Sequence, residues 1–196
     1  MKIKRLTTKL LLIASVFAMA ILVSCEKEEP IVKKEITSAQ IENGAQKATA
    51  TRDNNMALGN PSGATTSTSN ANNYLMTKTQ YTMSYNNSKK TCNWVSWHLS
   101  SAWIGSAARQ DDFRADATLP SSWVKVGGTD YSGSGFDRGH MCPSADRTGS
   151  TTDNSATFLM TNMIPQAPKN NQITWANLEN YCRALVGAGN ELSMIS

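Results

Sequence analysis

The sequence predicts an α+β protein in which antiparallel strands precede a single amphipathic helix. Three observations carry this. The stretch TCNWVSWHLS (91–100) puts Val95, Trp97 and Leu99 on one face and Trp94, Ser96 and His98 on the other, the two-residue period of a strand. NNQITWANLENYCRALVGAG (170–189) repeats Trp175, Leu178, Cys182 and Leu185 at three- and four-residue steps, the helical period. Between these segments the chain is polar and glycine-bearing, with RQDDFRADATLP and GGTDYSGSG, and is expected to form loops.

The elements follow in order. Residues 1–24 carry Lys2, Lys4, Arg5 and Lys9 ahead of an apolar run from Leu10 to Val23, the charge order of a secretory signal that is short for a membrane span. The end of this run, Leu22-Val23-Ser24-Cys25, resembles the lipobox of bacterial lipoproteins. That resemblance implies cleavage before Cys25, lipid on its thiol, and placement in the cell envelope as an outer-membrane lipoprotein, periplasmic or surface-exposed. Residues 25–73 are rich in Ala, Thr, Asn, Ser and Gly and contain NPSGATTSTSNANN at 60–73, so they are expected to be a disordered tether. The globular part is expected from Tyr74 to Ser196. YLMTKTQYTMSYNN (74–87) reads as one strand, joined by a polar turn to the strand at 91–100. TFLMTNMIPQ (157–166) reads as a buried strand, Gly187 as a helix cap, and NELSMIS as the start of another strand.

The signal holds four of the 19 basic residues and no acids. The rest of the chain therefore has 15 basic and 15 acidic residues, and no global positive field recommends it to a polyanion. Any such partner must be held by local groups or by a metal. With Cys25 assigned to lipid, Cys92, Cys142 and Cys182 remain, an odd number for an oxidising compartment.

The chemistry gathers around GFDRGHMCPSADR (135–147). Asp137-Arg138-Gly139-His140 alone could be a polar turn, and the Glu179 and Arg183 of the helix a solvent-facing pair four residues apart. His140 and Cys142 lack the further close ligands of a structural zinc site. His98 reads as a packed sheet residue. Yet a base, a cationic side chain and an amide in this order suit hydrolysis of a phosphodiester. Neutral histidine deprotonates water near pH 7, positive charge stabilises the transition state, and a side-chain amide oxygen can hold Mg²⁺, which keeps most of its waters.

DRGH at 137–140, TNMIPQAPKNNQ at 161–172 and a helix bearing Glu179 and Arg183 together resemble the DNA/RNA non-specific endonucleases, whose core is a ββα-metal unit. The resemblance covers roughly residues 74–196. It implies an antiparallel sheet with a metal-binding helix packed on it, and Mg²⁺-dependent hydrolysis of DNA and RNA to 5′-phosphate products, with Mn²⁺ as a substitute ion. It also implies His140 as general base, Asn171 as the metal ligand, Asn162 as a group orienting the site, and Glu179 as acceptor from metal-bound water. Arg138 and Arg183 then face the phosphate, Asp137 orients a neighbour, and Trp175 packs nearby. A further arginine is either Arg109 or Arg114. Because the family continues past the strand that begins at NELSMIS, a C-terminally truncated domain is expected. The second reading is accordingly a catalytically inactive surface lipoprotein that binds nucleic acid or a partner.

Overall fold

A computed structural model describes residues 50–52 and 54–196; the signal, the lipobox and the tether up to residue 49 lie outside the described residues. The α+β expectation holds. Strands β1 (Tyr74–Thr77), β2 (Thr82–Asn86) and β3 (Thr91–Leu99) form a meander, and β6 (Leu192–Ile195) adds to β3, giving the antiparallel order β1-β2-β3-β6. A second, two-stranded antiparallel sheet pairs β4 (Asp137–His140) with β5 (Met163–Gln166). The short helix α1 (Thr151–Ala156) lies between those two strands in sequence, and helix α2 (Ala176–Gly187) follows β5. β4, β5 and α2 are thus a ββα unit.

The segment expected as one strand at 74–87 is broken. Residues 78–81 turn, with the Lys78 N–H donating to the Tyr81 carbonyl at 2.9 Å, and β1 folds back on β2. The two faces of β3 are as the alternation predicts, and Val95, Trp97 and Leu99 lie in the main core with Met83, Tyr85 and Cys142. The opposite face is buried as well: Trp94, Ser96 and His98 are all less than 7% exposed.

What covers that face corrects the tether. Ser96 Oγ donates to the Asn55 carbonyl at 2.6 Å, the His98 N–H donates to Asn55 Oδ1 at 3.0 Å, and Trp94 Nε1 donates to Ser62 Oγ at 2.8 Å. Ser84 Oγ reaches Asn73 Oδ1 at 2.7 Å, and Ala64 is 4% exposed. Residues 54–73 therefore belong to the folded domain. Little apolar burial is needed, because their asparagines and serines supply hydrogen bonds to the backbone and side chains of the sheet.

The helix begins before α2, as a π-helical turn over Asn170–Trp175. Its buried side runs through Trp175, Glu179, Cys182 and Val186, while Leu178 is 45% exposed, so the apolar stripe is rotated from the expected one. Gly187 is still helical, and the left-handed cap is Gly189, with φ of 95°. Cys92, Cys142 and Cys182 are buried free thiols.

The two sheets are joined by a buried arginine. Arg147 is 0% exposed. Its Nε and Nη2 donate to the Gln80 carbonyl at 2.9 and 2.6 Å, Nη2 to the His98 carbonyl at 2.9 Å, and Nη1 to the Asp146 carbonyl at 2.8 Å. Its guanidinium also lies 4.1 Å from the centre of the Trp103 ring. The loop leaving β4 is thereby fastened to the β1–β2 turn and to β3. Arg147→Met keeps much of the volume but strands buried carbonyls, each costing about 1–3 kcal/mol when unpaired. We expect a loss of roughly 3–5 kcal/mol, read as a fall of about 10 °C or more in the thermal midpoint.

Candidate active site

β4 presents the DRGH tetrad. Gly139 sits where a side chain cannot: an added Cβ would fall 2.7 Å from the Gln166 Cβ and closer still to Gln166 Oε1. Contact between β4 and β5 at this register thus requires glycine. His140, paired with Met163 across the ladder, is 9% exposed. Its ring meets Phe158 edge-on at 4.9 Å and Phe113 at 5.7 Å, and its carbonyl accepts from Trp175 Nε1 at 3.2 Å, which ties the helix to the strand. Its Nε2 is buried without a hydrogen-bond partner. Burial first, and then the charges of Arg109 and Arg138, push the imidazole pKa down to about 3, so the ring is neutral at any ordinary pH.

Phe113, which meets the imidazole ring, also lines an open cavity of about 430 Å³ with Arg109, Tyr131, Phe136, Asp137, Arg138 and Asn171, among others; His140 itself is not one of the lining residues. The Arg138 guanidinium lies 3.7 Å over the Phe113 ring, and its Nη1 donates to the Gly128 carbonyl at 2.8 Å. Asp137 Oδ2 accepts from Asn171 Nδ2 and from Gln172 Nε2, each at 2.9 Å, and these two bonds hold its pKa below the usual carboxylate value. Because a carboxylate can only accept, it fixes which end of the Asn171 amide faces it and leaves Oδ1 uncommitted. That carbonyl oxygen suits a hard, largely hydrated cation.

Of the two candidate arginines, one lines this cavity. Arg109 lines this cavity, donates through Nη1 to Ser144 Oγ at 2.7 Å and sits 4.8 Å over the Phe158 ring. Arg114 turns away: its Nη1 is held by Asp112 Oδ2 at 2.6 Å and by the Ser155 carbonyl at 2.9 Å, and it lines a different cavity.

Of the other expected site residues, Asn162, Glu179 and Arg183 also lie outside this cavity, and Glu179 lines a different one. Asn162 is 0% exposed and lines none of the cavity. Its amide donates to the Cys142 and Thr157 carbonyls and accepts from the Cys142 N–H at 2.9–3.0 Å, so it pins the chain just past His140. Arg183 also lies outside the cavity lining. It donates to Asp146 Oδ1 at 2.8 Å and Asn180 Oδ1 at 2.7 Å, and is 3.9 Å from Glu179 Oε2. Asp146, 1% exposed and also held by Trp97 Nε1 at 3.0 Å, captures it because a buried carboxylate requires a cation. Burial, opposed by Arg183 and assisted by Asp146, pushes Glu179 up to about 7. His98 is elsewhere, paired with Glu191 at 3.0 Å. Among the described residues no cluster of three or more His, Cys, Asp or Glu side chains could hold a metal ion.

The geometry can be set beside known proteins. A family model described as DNA/RNA non-specific endonuclease matches residues 58–196. The chain belongs to that family. The match begins within the segment that was expected to be a tether, in agreement with its packing. A nuclease of Nostoc sp. is 62% identical over 141 residues, 72% of this chain and 52% of the relative. The mitochondrial nuclease EXOG of Danio rerio is 37% identical over 120 residues, 60% of this chain and 35% of the relative. Among solved structures, the crystal structure of the EndoG/EndoGI complex matches with a TM-score of 0.53 and 28% identity, covering 58% of this chain and 48% of that one. The chain thus spans about half, or less, of the length of these relatives. The fold is the ββα-metal fold, as the resemblance implied.

A pH dependence follows from His140. Unfolded, it titrates near its ordinary 6.5; folded, at about 3. Between these values the unfolded chain binds the extra proton, so this contribution to stability is complete above about 6.5 and is lost as pH falls towards 3. The loss is up to roughly 4–5 kcal/mol at 1.36 kcal/mol per pKa unit. His140→Gln should flatten that limb in urea melts taken from pH 7 to 4; parallel limbs would mean that the imidazole is not buried neutral.

Proposed function

We propose that this chain is a divalent-cation-dependent nuclease that hydrolyses phosphodiester bonds of DNA and RNA without sequence preference, leaving 5′-phosphates. What supports the reading is the neutral, unpartnered Nε2 of His140, whose ring packs on Phe113, together with the cavity that Phe113 lines along with Arg109, Arg138 and Asn171. In this reading Nε2 takes the proton of a water molecule as its oxygen bonds to phosphorus and the bond from phosphorus to the 3′ oxygen breaks. Arg109 and Arg138 hold the non-bridging oxygens. Asn171 Oδ1 would hold the cation, for which Mg²⁺ is the proposed ion, with Asp137 keeping the amide turned and Glu179 accepting from a coordinated water. When bound, such a cation supplies charge at the phosphate and at the leaving oxygen. Arg183, held by Asp146, acts from outside the cavity. Asn162 acts only by fixing the chain beyond His140. The proposal extends to an envelope location, supported by the lipobox-like Leu22–Cys25 stretch.

The deciding experiment is degradation of plasmid DNA and of RNA by the full chain with Mg²⁺, with EDTA as control. Binding without cleavage would instead favour a non-catalytic surface module. His140→Ala should lower the rate by on the order of 10²–10⁴ at pH 8 and a temperature where the melt shows the variant still folded, since removing a buried ring also leaves a cavity, and near-parent turnover would remove the base assignment.

Asn171→Ala should raise the Mg²⁺ concentration needed for half-maximal cleavage and lower the plateau, since water replaces a fixed carbonyl only in part. Overlaying titration curves would place the cation elsewhere.

A further inference from the structure

Phe136 has no part in this chemistry. A singly exposed apolar side chain needs no explanation, but the position of this one does. It is 52% exposed and lines the same cavity as Arg109, Arg138 and Asn171, with Tyr131 on the same wall. It immediately precedes β4, two residues from Arg138 and four from His140. In extended chain, residues two apart project to the same side about 7 Å from one another, roughly the reach from a phosphate to the base of its own nucleotide.

The ring is presented by a loop that is already ordered. Ser134 Oγ donates to the Tyr131 carbonyl at 2.7 Å and accepts from the Phe136 N–H at 3.1 Å. The Gly127 N–H donates to Asp130 Oδ2 at 2.9 Å, and the bond from Arg138 Nη1 to the Gly128 carbonyl ties the loop to the strand that carries the site. A pre-set aromatic face beside paired guanidinium groups has the make-up of a single-stranded nucleic-acid groove, in which cations follow the backbone and bases stack.

We propose that Phe136 is a stacking platform for an unpaired nucleobase next to the scissile phosphate, with Tyr131 as its side wall. The proposal rests on the reading of this cavity as a nuclease site and adds its substrate form. Every base has a π-face, so the platform is indifferent to sequence. It does require a base that has left its helical stack, which costs more in duplex than in single strands. The subsite therefore favours single-stranded or frayed nucleic acid.

The test is fluorescence anisotropy of the full chain with labelled oligo(dT), and with the same oligonucleotide carrying abasic residues, in EDTA at low salt. Phe136→Ala should weaken oligo(dT) binding about tenfold, within the 5- to 150-fold range of a stacked base, and leave abasic binding unchanged. Phe136→Trp should retain the affinity, and Phe136→Leu, apolar but without a π-face, should lose it as alanine does. Equal binding of the two oligonucleotides by the parent, or equal loss of both in Phe136→Ala, would overturn the proposal. A parent that binds with this base dependence yet fails to cleave with Mg²⁺ would overturn the hydrolytic reading and leave the platform standing.

Discussion

The architecture depends on one buried cation. The four-stranded sheet and the ββα unit have separate hydrogen-bond ladders; Thr91 Oγ1 bridges them by donating to the Met163 carbonyl at 3.1 Å, and Arg147 binds the first sheet to the loop that leaves β4. It spends its donors on carbonyls of the β1–β2 turn, of β3 and of the loop beyond β4. Desolvating a guanidinium is costly, and here the cost is offset by four carbonyl bonds and an aromatic face. Because the arginine follows His140 by only seven residues, whatever fixes the two sheets also fixes the strand end that carries the imidazole.

Two titratable groups near Arg109 are driven in opposite directions by the same burial. His140 is held neutral far below its ordinary pKa, and Glu179 is raised towards neutrality. Arg109 adds to the depression at His140 and lowers the pKa of Glu179, so one exposed guanidinium favours the uncharged form of the base and the charged form of the acid. The charges of Arg109 and Arg138 thus reinforce what burial does to the imidazole, and its nitrogen stays unprotonated at ordinary pH.

Much of this was legible in the sequence, for reasons that can be named. The period-2 face of β3 was readable because it depends on local alternation alone. The order of DRGH, the 161–172 segment and the helix identified the family because the residue types are dictated by chemistry. The packing of residues 54–73 was not readable, since composition registers apolar burial and misses domains fastened by Asn55, Ser62 and Asn73 through hydrogen bonds. The β1–β2 turn at 78–81 lacks the glycine, proline or asparagine that usually marks one. Arg109 and Arg114 each pair with an aspartate two residues away, Asp111 and Asp112, so local sequence does not separate them; their distant partners, Ser144 for one and Ser155 for the other, differ. The orientation of Arg183 depends on Asp146, whose burial no short window of sequence reveals. Phe113 and Phe158, which enclose the imidazole, carry no signal beyond being aromatic.

The π-helical turn at Asn170–Trp175 has a further consequence. In an α-helix of 3.6 residues per turn, each four-residue step overshoots a full turn by about 40°, so Asn171 and Glu179 would lie about 80° apart around the axis. A π turn holds more residues, so the step from Asn171 to Trp175 undershoots instead. The two deviations oppose each other, and the amide and the carboxylate return to nearly the same bearing. The helix works as a shaft with a key cut into it: one surplus residue sets the angular phase between the end that carries the amide and the end that carries the charged pair. Straightening that turn into α-helix with all its residues kept would open the angle between amide and carboxylate to about 80°, whereas deleting one residue from it would leave them seven apart and still within about 20° of one bearing.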